Sequence, residues 1–142
     1  MKQVFIYFLI FLSFLFISTK AISKNTYFND GEILFNKKKY SESKLKFEKD
    51  IVFNPKSEKS YLYLAKIFNQ KNNIILEEQN LNTVILLNPK NEEAIYLLTI
   101  LKIKQSNYSE SEKLIKNFKK VCINLCKKEE ELIKKFSNLQ TN

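Results

Sequence analysis

Residues 54–90 read NPKSEKSYLYLAKIFNQKNNIILEEQNLNTVILLNPK, a stretch that begins and ends with the same tripeptide. Its two prolines, Pro55 and Pro89, define a 34-residue spacing. A second short motif, YSES, occupies residues 40–43 and recurs at residues 108–111, an offset of twice that spacing. Two unrelated motifs that share one spacing indicate an internal repeat with this period.

Each period contains two helical patterns separated by a polar turn. In residues 58–91 the first pattern has apolar and small residues spaced three, one and three apart, as on one helical face. These residues are Tyr61, Leu64, Ala65 and Phe68. Proline disfavours helical geometry in the residue before it, so each Asn-Pro pair ends a helix. The pattern predicts helices over residues 25–36, 40–53, 58–70, 74–87, 92–105, 108–121 and 126–139.

This periodicity resembles the tetratricopeptide repeat, a helix–turn–helix unit with the same 34-residue period. The matching positions of the three units include Tyr27, Gly31, Phe47 and Pro55, then Tyr61, Ala65, Leu81, Val84 and Pro89, then Ile95, Thr99, Ser111 and Phe118. The resemblance implies an all-α fold, a short right-handed α-solenoid. It has about three units, at 24–57, 58–91 and 92–125 within residues 22–125, and a C-terminal capping helix and tail at 126–142.

Three residues depart from the family pattern. Asp30 and Asp50 lie in the first unit where apolar or small residues are preferred, and Lys102 departs in the third. The third unit also lacks a closing proline. We expect the second unit to be the most regular of the three.

Residues 1–21 have the features of a secretory signal peptide. Lys2 precedes an almost unbroken apolar run from Val4 to Ile17, and small residues follow at Thr19 and Ala21. We expect cleavage after Ala21. The alternative is an uncleaved N-terminal anchor, although the run is shorter than the roughly 20 apolar residues that span a bilayer.

The composition excludes several kinds of site. All 24 cationic residues are lysine, and the chain has no His, no Arg and a single Gly. Without His there is no His-based catalytic dyad or triad and no His-containing zinc site. A single Gly does not form a Gly-rich phosphate loop. We therefore predict no enzymatic activity, no cofactor and no metal.

The net charge is +9 for the whole chain, and loss of Lys2 and Lys20 with the leader lowers it to +7. Heavy use of Lys, Asn, Ile and Phe together with avoidance of Arg, Gly and Ala is typical of an AT-rich genome. The basic balance is then partly a consequence of codon bias, and we predict no nucleic-acid partner. Contact with a membrane is expected only through an uncleaved leader.

The family resemblance also implies a binding surface. Tetratricopeptide arrays bind partners on the concave face, which is lined mainly by the first helix of each unit. Carried over to this chain, the partner-binding groove comprises Phe28, Phe35, Leu62, Lys66, Asn69, Tyr96, Ile100 and Ile103. The basic clamp with which some members hold a carboxylate terminus is not matched, because Phe28 and Glu32 occupy positions where it needs polar or basic side chains.

Cys122 and Cys126 are the two cysteines of the chain and lie four residues apart. In an exported protein such a pair suggests a disulfide, which would pin the junction between the last repeat and the cap. Two free thiols and a redox pair are the alternatives. The spacing is not Cys-x-x-Cys, and two Cys alone cannot complete a zinc site.

We therefore expect an exported adaptor or assembly factor that binds a peptide or helix of another protein, periplasmic or envelope-associated in a bacterium. A structural homo-oligomer that uses the same groove is the first alternative. A helper of thiol chemistry through Cys122 and Cys126 is the second.

Overall fold

A computed structural model describes residues 26–140, with side chains through Asn138. Over this range the chain forms seven α-helices and one short 3₁₀ turn. The helices are α1 (Thr26–Asn36), α2 (Tyr40–Phe53), α3 (Glu58–Gln70), α4 (Ile74–Leu87), α5 (Glu92–Lys104), α6 (Tyr108–Val121) and α7 (Glu129–Gln140), and the 3₁₀ turn is Cys126–Lys128. The predicted leader, residues 1–21, lies outside the described residues.

The predicted helices are confirmed to within a residue or two, except at the start of the cap. The prediction began that helix at residue 126, whereas the chain forms a 3₁₀ turn there and the α-helix begins at Glu129. The first turn of α7 is acidic, with Glu129, Glu130 and Glu131. Carboxylates are favoured at the positive end of a helix, and Lys127 and Lys128 are not.

The helices pair into three antiparallel hairpins that stack in order. α1 packs on α2, α3 on α4 and α5 on α6, while α2 contacts α3 and α4 contacts α5. α7 packs on both α5 and α6, where the first helix of a fourth repeat would lie. Leu132 of α7 is fully buried in this contact. The result is the predicted short α-solenoid with a capping helix.

The turn within each hairpin has the same backbone geometry. Lys38, Asn72 and Ser106 occupy the same position in successive units, and their φ angles are 59°, 54° and 56°. This left-handed conformation commonly ends helices and favours Gly or Asn. Asn73 and Asn107 then cap α4 and α6, since each side-chain oxygen accepts a hydrogen bond from a backbone N–H three residues later.

The interior contains two clusters. The N-terminal cluster surrounds Phe47 and Ile67, and the larger one surrounds Leu81, Ile95 and Phe118. Gly31 lies directly against the first cluster, because a Cβ atom built there would come within 2.7 Å of the Phe47 ring. The glycine is needed for this close approach of α1 and α2.

The residues that depart from the repeat pattern have polar partners on neighbouring helices. The Asp30 carboxylate pairs with an ammonium 2.8 Å away, Asp50 accepts a 2.5 Å hydrogen bond, and Lys102 forms a 2.6 Å ion pair. The partners are Lys46 for Asp30, Ser60 for Asp50 and Glu78 for Lys102. Each departure is therefore compensated within the stack.

Candidate functional site

A cavity of about 220 Å³ opens in the middle of the surface formed by the first helices of the repeats. Four helices contribute to its walls: α1, α3, α4 and α5. Its lining residues are Phe35, Ala65, Lys66, Asn69, Gln70, Glu77 and Leu97. Three of the eight predicted groove residues meet here, namely Phe35, Lys66 and Asn69.

Glu77 and Leu97 line the same cavity and were not among the predicted groove residues. Glu77 is on the second helix of its unit, whereas the family resemblance implies a groove lined mainly by first helices. A signal was present in the sequence: the equivalent positions of the other two units, Ser43 and Ser111, carry small residues. Leu97 lies next to the predicted Tyr96 but on the side of α5 that faces this cavity.

The Glu77 carboxylate is buried at 4% exposure. Asn69 donates a hydrogen bond from Nδ2 to Oε1 of Glu77 at 2.9 Å. Burial raises the pKa of Glu77 above its ordinary value, and the Asn69 hydrogen bond and the charge of Lys104 act in the opposite direction. The cavity therefore has a buried acid on one wall.

Lys66 is held along the groove by two contacts. Its ammonium pairs with the Glu93 carboxylate at 2.7 Å and lies 5.0 Å from the centroid of the Tyr63 ring. The side chain is half-buried. Because Glu93 balances its charge, Lys66 adds little net positive potential to the cavity.

The N-terminal end of the predicted groove merges with an aromatic cluster. The Phe28 ring packs against Phe47 and Tyr63 at centroid distances of 5.7 and 5.8 Å. The Tyr63 hydroxyl donates to Glu32 at 2.6 Å. Burial, followed by that hydrogen bond, raises the pKa of Tyr63 to about 12. Phe28 is thus half-buried by the chain itself.

At the C-terminal end, α7 covers Tyr96. The Tyr96 hydroxyl donates to the Glu131 carboxylate at 3.0 Å, and the Lys128 ammonium lies 5.5 Å from the ring centroid. Burial raises the pKa of Tyr96, with Glu131 acting in the same direction.

The remaining predicted groove residues are mostly enclosed. Leu62 and Ile103 are only 8% and 6% exposed, and Ile100 is half-buried. Of the predicted groove residues, Phe35, Lys66 and Asn69 line the central cavity. Phe28 instead lines a separate cavity of about 350 Å³ between α1, α2 and the start of α3.

Cys122 and Cys126 form a disulfide, with Cα atoms 5.1 Å apart. The Glu92 carboxylate accepts hydrogen bonds from the three backbone N–H groups between them, on Ile123, Asn124 and Leu125, at 2.8 to 3.1 Å. These hydrogen bonds lower the pKa of Glu92. Two independent links thus connect α5 and α6 to the start of the cap.

Within residues 26–140, no helix has the length and apolar character needed to cross a bilayer. The same range contains no group of three or more acidic or Cys side chains placed to hold a metal ion.

Comparison of this architecture with solved structures finds helical-repeat domains. The TPR2B domain of yeast Sti1 in complex with pHsp70 superposes with a TM-score of 0.76 at 13% identity, covering 83% of this chain and 98% of that one. The first TPR of Spaghetti (RPAP3), bound to the HSP90 peptide SRMEEVD, gives a TM-score of 0.75 at 17% identity, covering 89% of this chain and 99% of that one. The Yersinia enterocolitica type III secretion translocator chaperone SycD gives 0.69 at 14% identity, covering 85% of this chain and 86% of that one.

By sequence, no family model matches the chain, and no curated protein matches it significantly. The likeness to the solved structures concerns the fold. It shows that this chain has the fold of a tetratricopeptide-repeat domain, as its 34-residue period predicts.

Proposed function

We propose that this protein is a non-enzymatic interaction module that binds a segment of another protein in its concave groove. The observation that carries the proposal is the cavity at the centre of that surface, where Phe35, Lys66 and Asn69 from two repeats meet. Grooves of this kind accept helices or extended peptides through a few anchoring side chains.

The comparisons support the same proposal by analogy of fold. Two of the similar domains were solved with a bound ligand, pHsp70 in one case and an HSP90 peptide in the other. Because those domains are only 13% and 17% identical to this chain, their ligands are not inferred to be its partners. The HSP90 peptide SRMEEVD is acidic, whereas Glu77 here would repel a carboxylate entering the cavity.

We also propose that the module acts outside the cytoplasm. The leader-like residues 1–21 and the disulfide between Cys122 and Cys126 support this location, because disulfides persist mainly in oxidising compartments. In a bacterium the protein would then be periplasmic or attached to the envelope.

Selection of peptides from a random phage-displayed library on the purified full-length protein tests the binding proposal. We expect enriched peptides that bind at micromolar or better affinity, and Gln70→Trp to weaken binding about tenfold or more by filling the cavity. Gln79→Trp is the matched control, since both glutamines are exposed and Gln79 lies outside the cavity lining. Failure to enrich any peptide, or equal effects of the two variants, would contradict the proposal.

A further inference from the structure

We infer that the groove selects a partner segment carrying a lysine or arginine, whose cationic group binds Glu77 inside the central cavity. The inference rests on the proposed function and adds the chemistry of the anchoring side chain. The basic side chain proposed here has the opposite charge to the acidic C-terminal peptides that basic clamps bind.

The position of Glu77 is the first observation. In the first and third units the equivalent residues are buried serines whose hydroxyls are satisfied locally. Ser43 donates to the Gly31 carbonyl at 2.8 Å, and Ser111 donates to the Asn107 carbonyl at 2.7 Å. The central unit instead places a charged group at this position, beside the cavity.

The incomplete pairing of Glu77 is the second observation. Asn69 Nδ2 donates to Oε1, which is the one side-chain hydrogen bond that the described residues give to the Glu77 carboxylate. No fully enclosed side-chain oxygen in that range is without a partner, so Oε2 keeps access to the cavity. A buried carboxylate is costly unless opposite charge or several hydrogen bonds compensate it. A cation in the cavity would supply the opposite charge and the further hydrogen bond that the chain itself does not place beside the Glu77 carboxylate.

Nearby lysines leave this charge largely uncompensated. Lys66 is paired with Glu93 at 2.7 Å, and Lys102 is paired with Glu78 at 2.6 Å. Lys104 favours the ionised form of Glu77 electrostatically, yet it forms no ion pair with Glu77 in the described part of the chain.

The other walls suit the stem of a long basic side chain. Phe35 and Leu97 offer apolar surface for methylene groups, as long cationic side chains prefer. Since one water occupies about 30 Å³ in the liquid, the cavity of about 220 Å³ has room for a side chain of this length. Because Asn69 Nδ2 points to Glu77, its Oδ1 remains as a further acceptor for an ammonium or guanidinium.

The test uses the selected peptides and a double-mutant cycle. We expect one peptide position to be enriched in Lys or Arg. Replacing that residue by norleucine, which keeps a four-carbon stem without charge, should weaken binding about tenfold or more. Glu77→Gln should have a similar effect, and the two changes together should cost little more than either alone. Glu77→Gln keeps the shape and the acceptor for Asn69, so the fold should be preserved.

Glu112→Gln serves as the charge-matched control, because Glu112 is exposed on α6 and pairs with Lys116. If peptides bind but show no basic position, or if Glu77→Gln behaves as Glu112→Gln does, the inference is wrong while the proposed function stands. If no peptide is enriched, both are wrong.

Discussion

Glu77 is a local cost to the fold, because its carboxylate loses water on folding and gains one hydrogen bond. Removing that charge should stabilise the protein. We predict that Glu77→Gln raises the free energy of unfolding at pH 7, while it impairs binding of a basic segment. Stability and function would then be opposed at this residue, as is common at binding sites.

The pH dependence of this effect has a definite sign. The pKa of Glu77 is raised in the folded state from an ordinary value of 4.5, so the folded protein holds the proton more tightly than the unfolded chain. Protonation of Glu77 therefore stabilises the folded state. This stabilisation is fully present below pH 4.5 and is lost as pH rises through the folded-state pKa of Glu77. Urea unfolding should therefore show the advantage of Glu77→Gln at pH 7 and a smaller one at pH 3.5. A variant that is less stable than the parent at pH 7 would show that the chain itself neutralises Glu77.

Asp30, Asp50 and Lys102 stand out in the sequence because they break the repeat pattern. Their partners were not predictable, since each is on another helix and becomes a neighbour only after the helices pack.

At the scale of elements, the attachment of α7 depends on a short loop with two supports. The disulfide closes the loop 122–126, and Glu92 holds the three N–H groups inside it. The helix boundaries were predictable from periodicity and the Asn-Pro pairs. The later start of α7 depends on the distribution of Lys and Glu along residues 127–131.

We predict that the double substitution Cys122→Ser and Cys126→Ser lowers the free energy of unfolding by about 2 kcal/mol, the chain-entropy value for so short a loop. Amide hydrogen exchange should become faster in α7 and remain unchanged in α3 and α4. Unchanged stability and unchanged exchange in α7 would mean that Glu92 alone fixes the loop. Loss of partner binding with normal stability would instead favour the thiol-helper alternative.

For the whole molecule, the 34-residue period was sufficient to predict the stack, because a repeating pattern of helical faces has few ways to bury its apolar residues. The composition of the groove was less predictable. Phe28 joins the aromatic cluster and Tyr96 lies under α7, so the accessible part of the surface is smaller than the repeat positions suggest.

The two ends of the stack therefore differ from its middle in which groove side chains a partner could contact. Separate cavities of about 350 and 380 Å³ lie at the first unit and at the cap. The cavity centred on the second unit is the one that brings Phe35, Lys66 and Asn69 together. Gln70 is an exposed residue of that lining, so a probe placed there reports on the groove with little disturbance of the core.

Site-specific photo-crosslinking from position 70 in the native host, with position 79 on α4 as the control, tests whether the groove binds a partner protein. We expect one foreign protein to be captured from position 70 and not from position 79, and the crosslinked segment to contain a Lys or Arg. Capture of a second copy of the same chain from position 70 would contradict the adaptor role and favour a homo-oligomer. Capture of a foreign protein from position 79 alone would contradict the use of the groove.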